Sequence, residues 1–188
     1  MAKRSAAGET ACGDDGIIKE FGSEVFIGII DAEGHGKKAE ETALSCKDFL
    51  EKNYYRDLVE MMDGLHQHIK GFLRGAVAGL GVLNLETGEL VYVGVGNTTA
   101  RAFGSTTIRL IPRNGIVGYM MSSLREEKTK LHDGDVLLLH TDGVKEHFDL
   151  EDYPGMLRDD AETIATRIIK RFGRQEDDVC CIVLRYRR

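Results

Sequence analysis

Acidic residues stand at three places where an apolar run of strand type begins or ends. They are Asp31, Asp142 and Asp177, and each has a glycine or a second acid close by. If the three strands are neighbours, these carboxylates meet at one edge, where cations between them are needed to offset their repulsion. Carboxylate oxygens select Mg²⁺ or Mn²⁺ over zinc or copper. The pattern predicts a divalent-metal site, which Asp14, just before the first expected strand, could join.

A simpler interpretation of each acid is a turn or a helix cap, because Asp-Gly is a common turn pair. For any single position this interpretation is favoured, but three recurrences in the same context favour a shared site. Gly34 and Gly36 follow Asp31 and would let the backbone curl tightly between a strand and a helix. A main-chain carbonyl there, such as that of Ala32, could then also face a cation.

The elements that must position these acids are antiparallel strands and helices. Apolar and β-branched residues on both sides of short turns indicate hairpins, and apolar residues three or four apart indicate helices. Strands are expected at 16–21, 24–30, 75–85, 89–95, 98–103, 107–111, 136–140 and 179–186, and helices at 37–53, 56–70 and 159–172. Residues 114–127 are interpreted as irregular and as a candidate substrate-facing flap. The order predicts an α+β fold, with stacked antiparallel sheets and helices on their outer faces.

Composition limits the classes of protein to which the chain can belong. Its 188 residues suit one domain spanning 1–188. The net charge of −6 disfavours nucleic acid as a partner, and Arg185, Arg187 and Arg188 are interpreted as a solvated tail. No apolar run approaches the ~20 residues that span a bilayer, so no membrane partner is expected. The four cysteines include no Cys-x-x-Cys pair and are interpreted as reduced thiols of a cytoplasmic protein.

The acidic segments resemble those of a known family, the type 2C metal-dependent protein phosphatases (PPM), in its bacterial SpoIIE-like branch. Its three acidic motifs are matched in order by Asp31-Ala32-Glu33-Gly34-His35-Gly36, His140-Thr141-Asp142-Gly143 and Asp177-Asp178-Val179-Cys180. Its opening Gly-Asp motif is matched by Cys12-Gly13-Asp14. Three further segments resemble a short phosphatase of the bacterial stressosome, although these matches are less specific. They are Arg74-Gly75-Ala76, Val95-Gly96-Asn97 and Ile116-Val117-Gly118-Tyr119. The resemblance extends from about Cys12 to Leu184.

This resemblance implies a four-layer αββα fold, in which helices flank a central antiparallel β-sandwich. It also implies two Mn²⁺ or Mg²⁺ ions. Asp31 would bridge the ions, the Ala32 carbonyl would help to bind one, and Asp142 and Asp177 would hold the other. Asp14 would act directly or through a water. Ala32 replaces the usual glycine, but a carbonyl ligand does not require glycine, so we expect metal binding to survive.

The implied reaction is hydrolysis of phosphoserine or phosphothreonine. The substrates would be phosphorylated STAS-domain proteins of the stressosome (RsbR/RsbS-like), and the reaction would reset a bacterial stress signal. Two cations roughly 3.5–4 Å apart would acidify a bridging water that attacks phosphorus in line with the leaving oxygen. Glu33 stands where eukaryotic relatives carry a His thought to act as general acid, so the general acid is left unassigned. Two alternatives stay open: a catalytically weak phosphoprotein-binding module of the same fold, and a hydrolase of small phosphate esters.

Other polar residues have competing interpretations. His140 is expected to be buried within its strand, and His66 and His68 are expected at the surface. His147 could line the site, although a position outside it is favoured. Arg74 could steer phosphate or form a surface salt bridge.

Overall fold

Two five-stranded sheets dominate the computed structural model, which describes residues 1–145 and 155–188. The β11 sheet contains, in spatial order, β1 (Ala2–Arg4), β12 (Val179–Arg185), β11 (Val136–His140), β6 (Thr99–Phe103) and β7 (Thr107–Leu110). The β3 sheet contains β10 (Glu127–Lys130), β5 (Glu89–Val95), β4 (Ala76–Asn84), β3 (Glu24–Ala32) and β2 (Asp14–Phe21). A separate ribbon pairs β8 (Gly115–Ile116) with β9 (Met120–Met121). All of these pairings are antiparallel, and His147 lies outside the described residues.

The α-helices of the described residues are α1 (Lys37–Asn53), α2 (Leu58–His68) and α3 (Ala161–Phe172), and a 3-10 helix spans Met156–Arg158. Acidic side chains cap two of them. Asp57 accepts the backbone N–H groups of Val59 and Glu60, at 2.9 and 3.1 Å, at the start of α2. Asp160 accepts the Thr163 N–H at 2.9 Å at the start of α3, which satisfies a donor that the helix itself leaves unpaired. None of these helices combines the length and apolar character needed to cross a bilayer.

Apolar side chains fill the three spaces between four layers. The two sheets enclose a central core that includes Ile27, Ile29, Tyr92, Leu139 and Ile182. α1 and α2 cover the outer face of the β3 sheet, and α3 covers the outer face of the β11 sheet. Because the inner strands are covered on both faces, β3 and β11 contain continuous apolar runs, 25–30 and 136–139, rather than an alternating pattern. The αββα fold predicted from the sequence is confirmed.

The structure departs from the predicted elements mainly at the sheet edges and the flap. β1 and β10 were not predicted, since both are short, polar and located at the edge of a sheet. The stretch 114–127, expected to be irregular, contains the β8–β9 ribbon. Arg185 is wrongly placed in a solvated tail: it ends β12, and its guanidinium donates to the carbonyl oxygen of Asp159 at 2.8 Å.

Candidate functional site

An open cleft of about 620 Å³ lies where the two sheets end side by side. Its walls come from the turns after β3, β5 and β11, from the turn before β12 and from the ribbon. The lining residues are Asp31, Glu33, Gly34, Val77, Gly96, Asn97, Asn114, Gly115, Ile116, Asp142 and Asp177. The three acids that the sequence singled out therefore share one cleft, although they are far apart in the chain.

Asp14 and Asp31 face each other across the two strands that carry them. They are directly paired in the register of β2 and β3, which places their β-carbons about 5 Å apart. Asp14 is the first residue of β2 and Asp31 lies inside β3, so both belong to strands rather than to the flanking turns expected from the sequence. The carboxyl group of Asp31 also makes a hydrogen bond with that of Asp142 from the other sheet.

The acids of this cluster lie close together and raise one another's pKa values. Burial, followed by the charges of Asp14, Asp142 and Asp177, raises the pKa of Asp31 well above its ordinary value. Burial also raises the pKa of Asp14 to about 8, with the charges of Asp178, Asp142 and Asp177 adding to it against a hydrogen bond from Thr141. The pKa of Asp177 is raised by burial and by Asp142. The charge of Arg174 opposes the rise at Asp177 but does not cancel it, and a cation among the carboxylates would offset their repulsion.

The oxygen atoms of these acids suit a hard divalent cation. Asp14 is only 3% exposed, and its Oδ2 atom has no hydrogen-bond partner among the described residues. A buried carboxylate oxygen without a donor is costly unless a cation takes that place. Within 1–145 and 155–188 no three His, Cys, Asp or Glu side chains already form a ligand set. The carboxyl groups of Asp31 and Asp142 are in hydrogen-bond contact, so they must separate to admit an ion between them.

Asp178 has a different environment from that of its neighbour Asp177. Its carboxylate accepts the backbone N–H groups of Ala6 and Gly13, at 2.8 and 2.7 Å. Both carboxylate oxygens are therefore occupied, and Asp178 anchors the chain that leads into Asp14. The structure separates the pair into one acid at the cleft and one that fixes the N-terminal segment.

The turn that carries Asp142 is fixed to the start of β12. Thr141 Oγ1 accepts the Cys180 N–H at 2.9 Å, and the Thr141 N–H donates to the Cys180 carbonyl at 3.1 Å. A β-carbon on Gly143 would stand 1.9 Å from the Asp178 carbonyl oxygen, so this close approach requires glycine. These contacts bring Asp142 and Asp177 to the same edge.

The turn after β3 is built around glycine, as the sequence predicted. Gly34 and Gly36 have φ angles of 80° and 78°, a conformation that favours glycine. The turn is fixed by Glu33, whose N–H donates to the Gly75 carbonyl at 2.9 Å and whose Oε2 accepts the Gly75 N–H at 3.0 Å. Ala32 is fully buried behind the cleft, and its carbonyl oxygen is 3.3 Å from where a β-carbon on Gly13 would stand. Its role as a metal ligand stays a prediction.

Asn97 is a cleft residue to which the sequence analysis gave no role of its own. Its Nδ2 donates to Asp142 Oδ2 at 2.7 Å, across the space between two turns. The signal was present, because Asn97 follows the buried strand β5 just as the acids adjoin theirs. Asn114 and Ile116 also line the cleft, from the stretch expected to form a flap.

The histidines that the structure describes are not among the residues that line the cleft. His140 is fully buried, as predicted, and its Nδ1 lies 2.9 Å from the Thr141 carbonyl oxygen. His68 contacts Ser45 at an exposed position, but His66 is partly buried and its Nδ1 accepts the Gly118 N–H at 3.0 Å. His66 is thus partly exposed and links α2 to the flap.

This architecture, two antiparallel sheets with helices outside and acids at one edge, is that of the PP2C-type phosphatase domains. Solved structures show the same fold. RsbX in complex with magnesium has a TM-score of 0.84 at 22% identity, with 98% of this chain and 92% of that chain covered. The PP2C phosphatase domain of the cell fate determinant SpoIIE from Bacillus subtilis, solved with a fragment of its regulatory domain, has a TM-score of 0.73 at 19% identity, covering 98% and 61%.

The chain belongs to the Stage II sporulation protein E (SpoIIE) family, whose model matches residues 22–187. The SpoIIE-like branch predicted from the acidic motifs is thereby confirmed. A further similar structure comes from work on the bacterial stressosome as a modular system adapted to control secondary messenger signaling. It has a TM-score of 0.90 at 29% identity, with 97% of this chain and 95% of that chain covered. Sequence comparison with curated proteins found no match.

Proposed function

We propose that the chain is a metal-dependent protein phosphatase that hydrolyses phosphoserine and phosphothreonine. One observation carries the proposal: Asp31 of β3 and the turn residues Asp142 and Asp177 of the other sheet line a single cleft, and Asp14, paired with Asp31, has a buried oxygen without a partner among the described residues. In its ionised form such a set needs positive charge among the carboxylates. Membership of the SpoIIE family and the PP2C-type fold support the same reaction.

We assign two Mn²⁺ or Mg²⁺ ions to this cleft, held by Asp14, Asp31, Asp142, Asp177 and the carbonyl oxygen of Ala32. Bound ions supply an acidified water as nucleophile and offset charge on the phosphoryl oxygens. The chain's own contribution is to keep the acids at fixed positions: Asn97 holds Asp142, and the Glu33–Gly75 bonds fix the turn that follows Asp31. The glycines at positions 34, 96 and 115 leave the cleft open to a phosphorylated side chain.

We further propose that the substrates are phosphorylated STAS-domain proteins of a bacterial stressosome (RsbR/RsbS-like), so that the reaction resets a stress signal. The 29% identity to a chain described in the context of the stressosome supports this, as does the sequence resemblance to RsbX at Arg74-Gly75-Ala76. A cytoplasmic location and a single domain over 1–188 remain predictions of the sequence.

The first test is phosphate release from a phosphoserine protein with Mn²⁺ or Mg²⁺ and with EDTA. We expect release only with the metal, and Asp142→Asn should lower turnover by about 10³-fold or more, because a ligand that fixes the ions is lost. Circular dichroism should show the variant folded, and calorimetry should show weaker Mn²⁺ binding. Equal activity with EDTA would overturn the proposal. Metal and phosphoprotein binding without turnover would favour the binding module instead.

A further inference from the structure

Arg74 brings positive charge to the rim of this acidic cleft. Gly34 lines the cleft, and the atom nearest to where its β-carbon would stand is Arg74 Nη1, at 3.2 Å. Arg74 is half-buried, and within 1–145 and 155–188 its guanidinium forms no ion pair with a carboxylate. The surface salt bridge considered for Arg74 therefore has no partner in the part of the chain that is described. Its charge is available to an anion that enters the cleft.

The backbone beside Arg74 is held in place from the cleft side. Glu33, an acid of the same rim, uses its carboxylate to accept the Gly75 N–H at 3.0 Å. The Gly75 carbonyl in turn accepts the Glu33 N–H at 2.9 Å. These two bonds fix residues 73–75 against the wall of the cleft. They commit Glu33 to the backbone rather than to the guanidinium.

Exposed apolar residues adjoin Arg74 in the chain and in the flap. Leu73, Tyr119 and Met120, here termed the apolar rim, are 76%, 51% and 77% exposed. Tyr119 Oη donates to the Leu73 carbonyl at 3.2 Å, so the flap and the residue before Arg74 are joined. The Tyr119 ring lies 2.8 Å from where a β-carbon on Gly75 would stand. Leu73 and Tyr119 are joined, and Met120 follows Tyr119 in the chain, so three exposed apolar residues stand at one rim and indicate a contact surface.

We propose that Arg74 and the apolar rim form a docking surface for a phosphorylated protein segment that carries an apolar side chain next to its phosphoserine or phosphothreonine. A phosphorylated residue carries close to two negative charges, which the unpaired guanidinium complements. Leu73 directly precedes Arg74, and its carbonyl group is bound to Tyr119 of the flap, so the apolar rim adjoins the backbone that carries the guanidinium. This inference rests on the proposed function and adds to it a preference for the sequence around the phosphosite.

Two phosphoserine peptides of equal length and charge test the preference, one with leucine and the other with asparagine on both sides of the phosphoserine. In Mn²⁺ we expect the wild-type protein to favour the leucine peptide by about tenfold in kcat/KM. In Leu73→Ser/Met120→Ser this preference should fall to about twofold or less, mainly through KM, while hydrolysis of p-nitrophenyl phosphate changes less than about twofold. Both substituted side chains are exposed, so the fold should be retained.

Tyr55→Ser is the matched control, because Tyr55 is 62% exposed and far from the cleft. Its neighbour Tyr54 packs on Phe21, the last residue of β2, whereas Asp14 is the first, a separation of about 23 Å along the strand. The control should keep the tenfold preference. Arg74→Gln should lower kcat/KM for both peptides by about tenfold, and Arg74→Lys should restore part of it.

Each outcome decides between the proposals. A wild-type protein that treats both peptides alike, or a double variant that keeps the preference, would overturn the docking surface and leave the phosphatase proposal standing. If no substrate is hydrolysed with either metal, the proposed function fails, and fluorescence anisotropy of the labelled peptides then tests docking by itself. If the wild-type protein and Tyr55→Ser bind the leucine peptide more tightly than the asparagine peptide and the double variant does not, the docking surface is supported. If the wild-type protein binds the two peptides equally, the docking surface is overturned.

Discussion

The carboxamide of Asn97 is placed to orient the carboxylate of Asp142 in the cleft. It donates to Asp142 Oδ2 at 2.7 Å and joins the turn after β5 to the turn after β11. Groups that orient a metal-binding carboxylate typically contribute 10- to 100-fold to metal affinity or activity. We therefore expect Asn97→Ala to weaken Mn²⁺ binding or lower kcat by about tenfold or more. A Mn²⁺ titration followed by electron paramagnetic resonance, with kcat measured at saturating metal, checks this.

Asn114→Ala is the control for this experiment, because Asn114 lines the same cleft from the start of the flap. Its removal should leave Mn²⁺ affinity within about twofold of the wild type. If both variants lose a similar amount of Mn²⁺ affinity, the general polarity of the cleft, rather than the hydrogen bond from Asn97 to Asp142, determines that affinity.

The acids of the site could be predicted from the sequence, but their contacts could not. Asp31, Asp142 and Asp177 each adjoin a buried apolar strand, and this local pattern is visible in the printed residues. The bond between Asn97 and Asp142 joins residues 45 positions apart. Asp178 differs in role from Asp177 because the distant backbone N–H groups of Ala6 and Gly13 donate to its carboxylate. Such facts depend on long-range pairing, which no local pattern encodes.

At the scale of elements, Asp178 links β12 to the segment between β1 and β2. It accepts the N–H groups of Ala6 and Gly13 while being only 2% exposed. Asp178→Ala would leave both donors buried without partners, so we expect the free energy of unfolding to fall by roughly 3 kcal/mol. Asp178→Asn keeps one acceptor oxygen and should cost less. Urea unfolding of the metal-free proteins measures both values.

Asp133→Ala provides the comparison for Asp178→Ala. Asp133 also accepts a backbone N–H, that of Arg188 at 2.8 Å, but at an exposed position where water can replace it. Its loss should change the free energy of unfolding by about 0.5 kcal/mol or less. If both alanine variants unfold at the same urea concentration, Asp178 does not hold the N-terminal segment as the geometry indicates.

Elements with strong patterns of their own were predicted well, and those defined by a neighbour were not. The predicted bounds of α1, β5 and β11 agree with the structure at both ends. β1 and β10 have the sequences Ala-Lys-Arg and Glu-Lys-Thr-Lys, which carry no strand signal. They are strands because β12 and β5 offer them unpaired backbone groups.

At the scale of the whole molecule, the two sheets bring the acids together by ending at the same edge. β2 and β3 supply Asp14 and Asp31 from one sheet, while the turn after β11 and the turn before β12 supply Asp142 and Asp177 from the other. The stacking of two sheets could be predicted from hairpins and helix blocks. The strand order could not, since neighbours such as β6 and β11 are far apart in sequence.

Protonation of the acid cluster couples the site to global stability. In the metal-free protein the pKa of Asp14 is raised to about 8 and that of Asp31 lies well above its ordinary value of 3.8. The folded chain therefore retains protons that the unfolded chain has released. These retained protons stabilise the folded chain. Their contribution to the free energy of unfolding is fully present when the pH is below the ordinary pKa of 3.8, and it is lost as the pH rises toward 8.

Mn²⁺ should consequently stabilise the protein more at about pH 8 than at about pH 6, because metal ligands must be deprotonated. At the lower pH the ion must displace protons from Asp14 and Asp31, and each proton weakens apparent affinity by about tenfold per pH unit below its pKa. Scanning calorimetry at a fixed Mn²⁺ concentration should show the larger rise in melting temperature at the higher pH. Asp48→Asn, which removes an exposed acid paired with Lys52 on α1, should keep this difference, whereas Asp14→Asn should reduce it. An equal rise at both pH values would show that the ion binds away from the protonated acids.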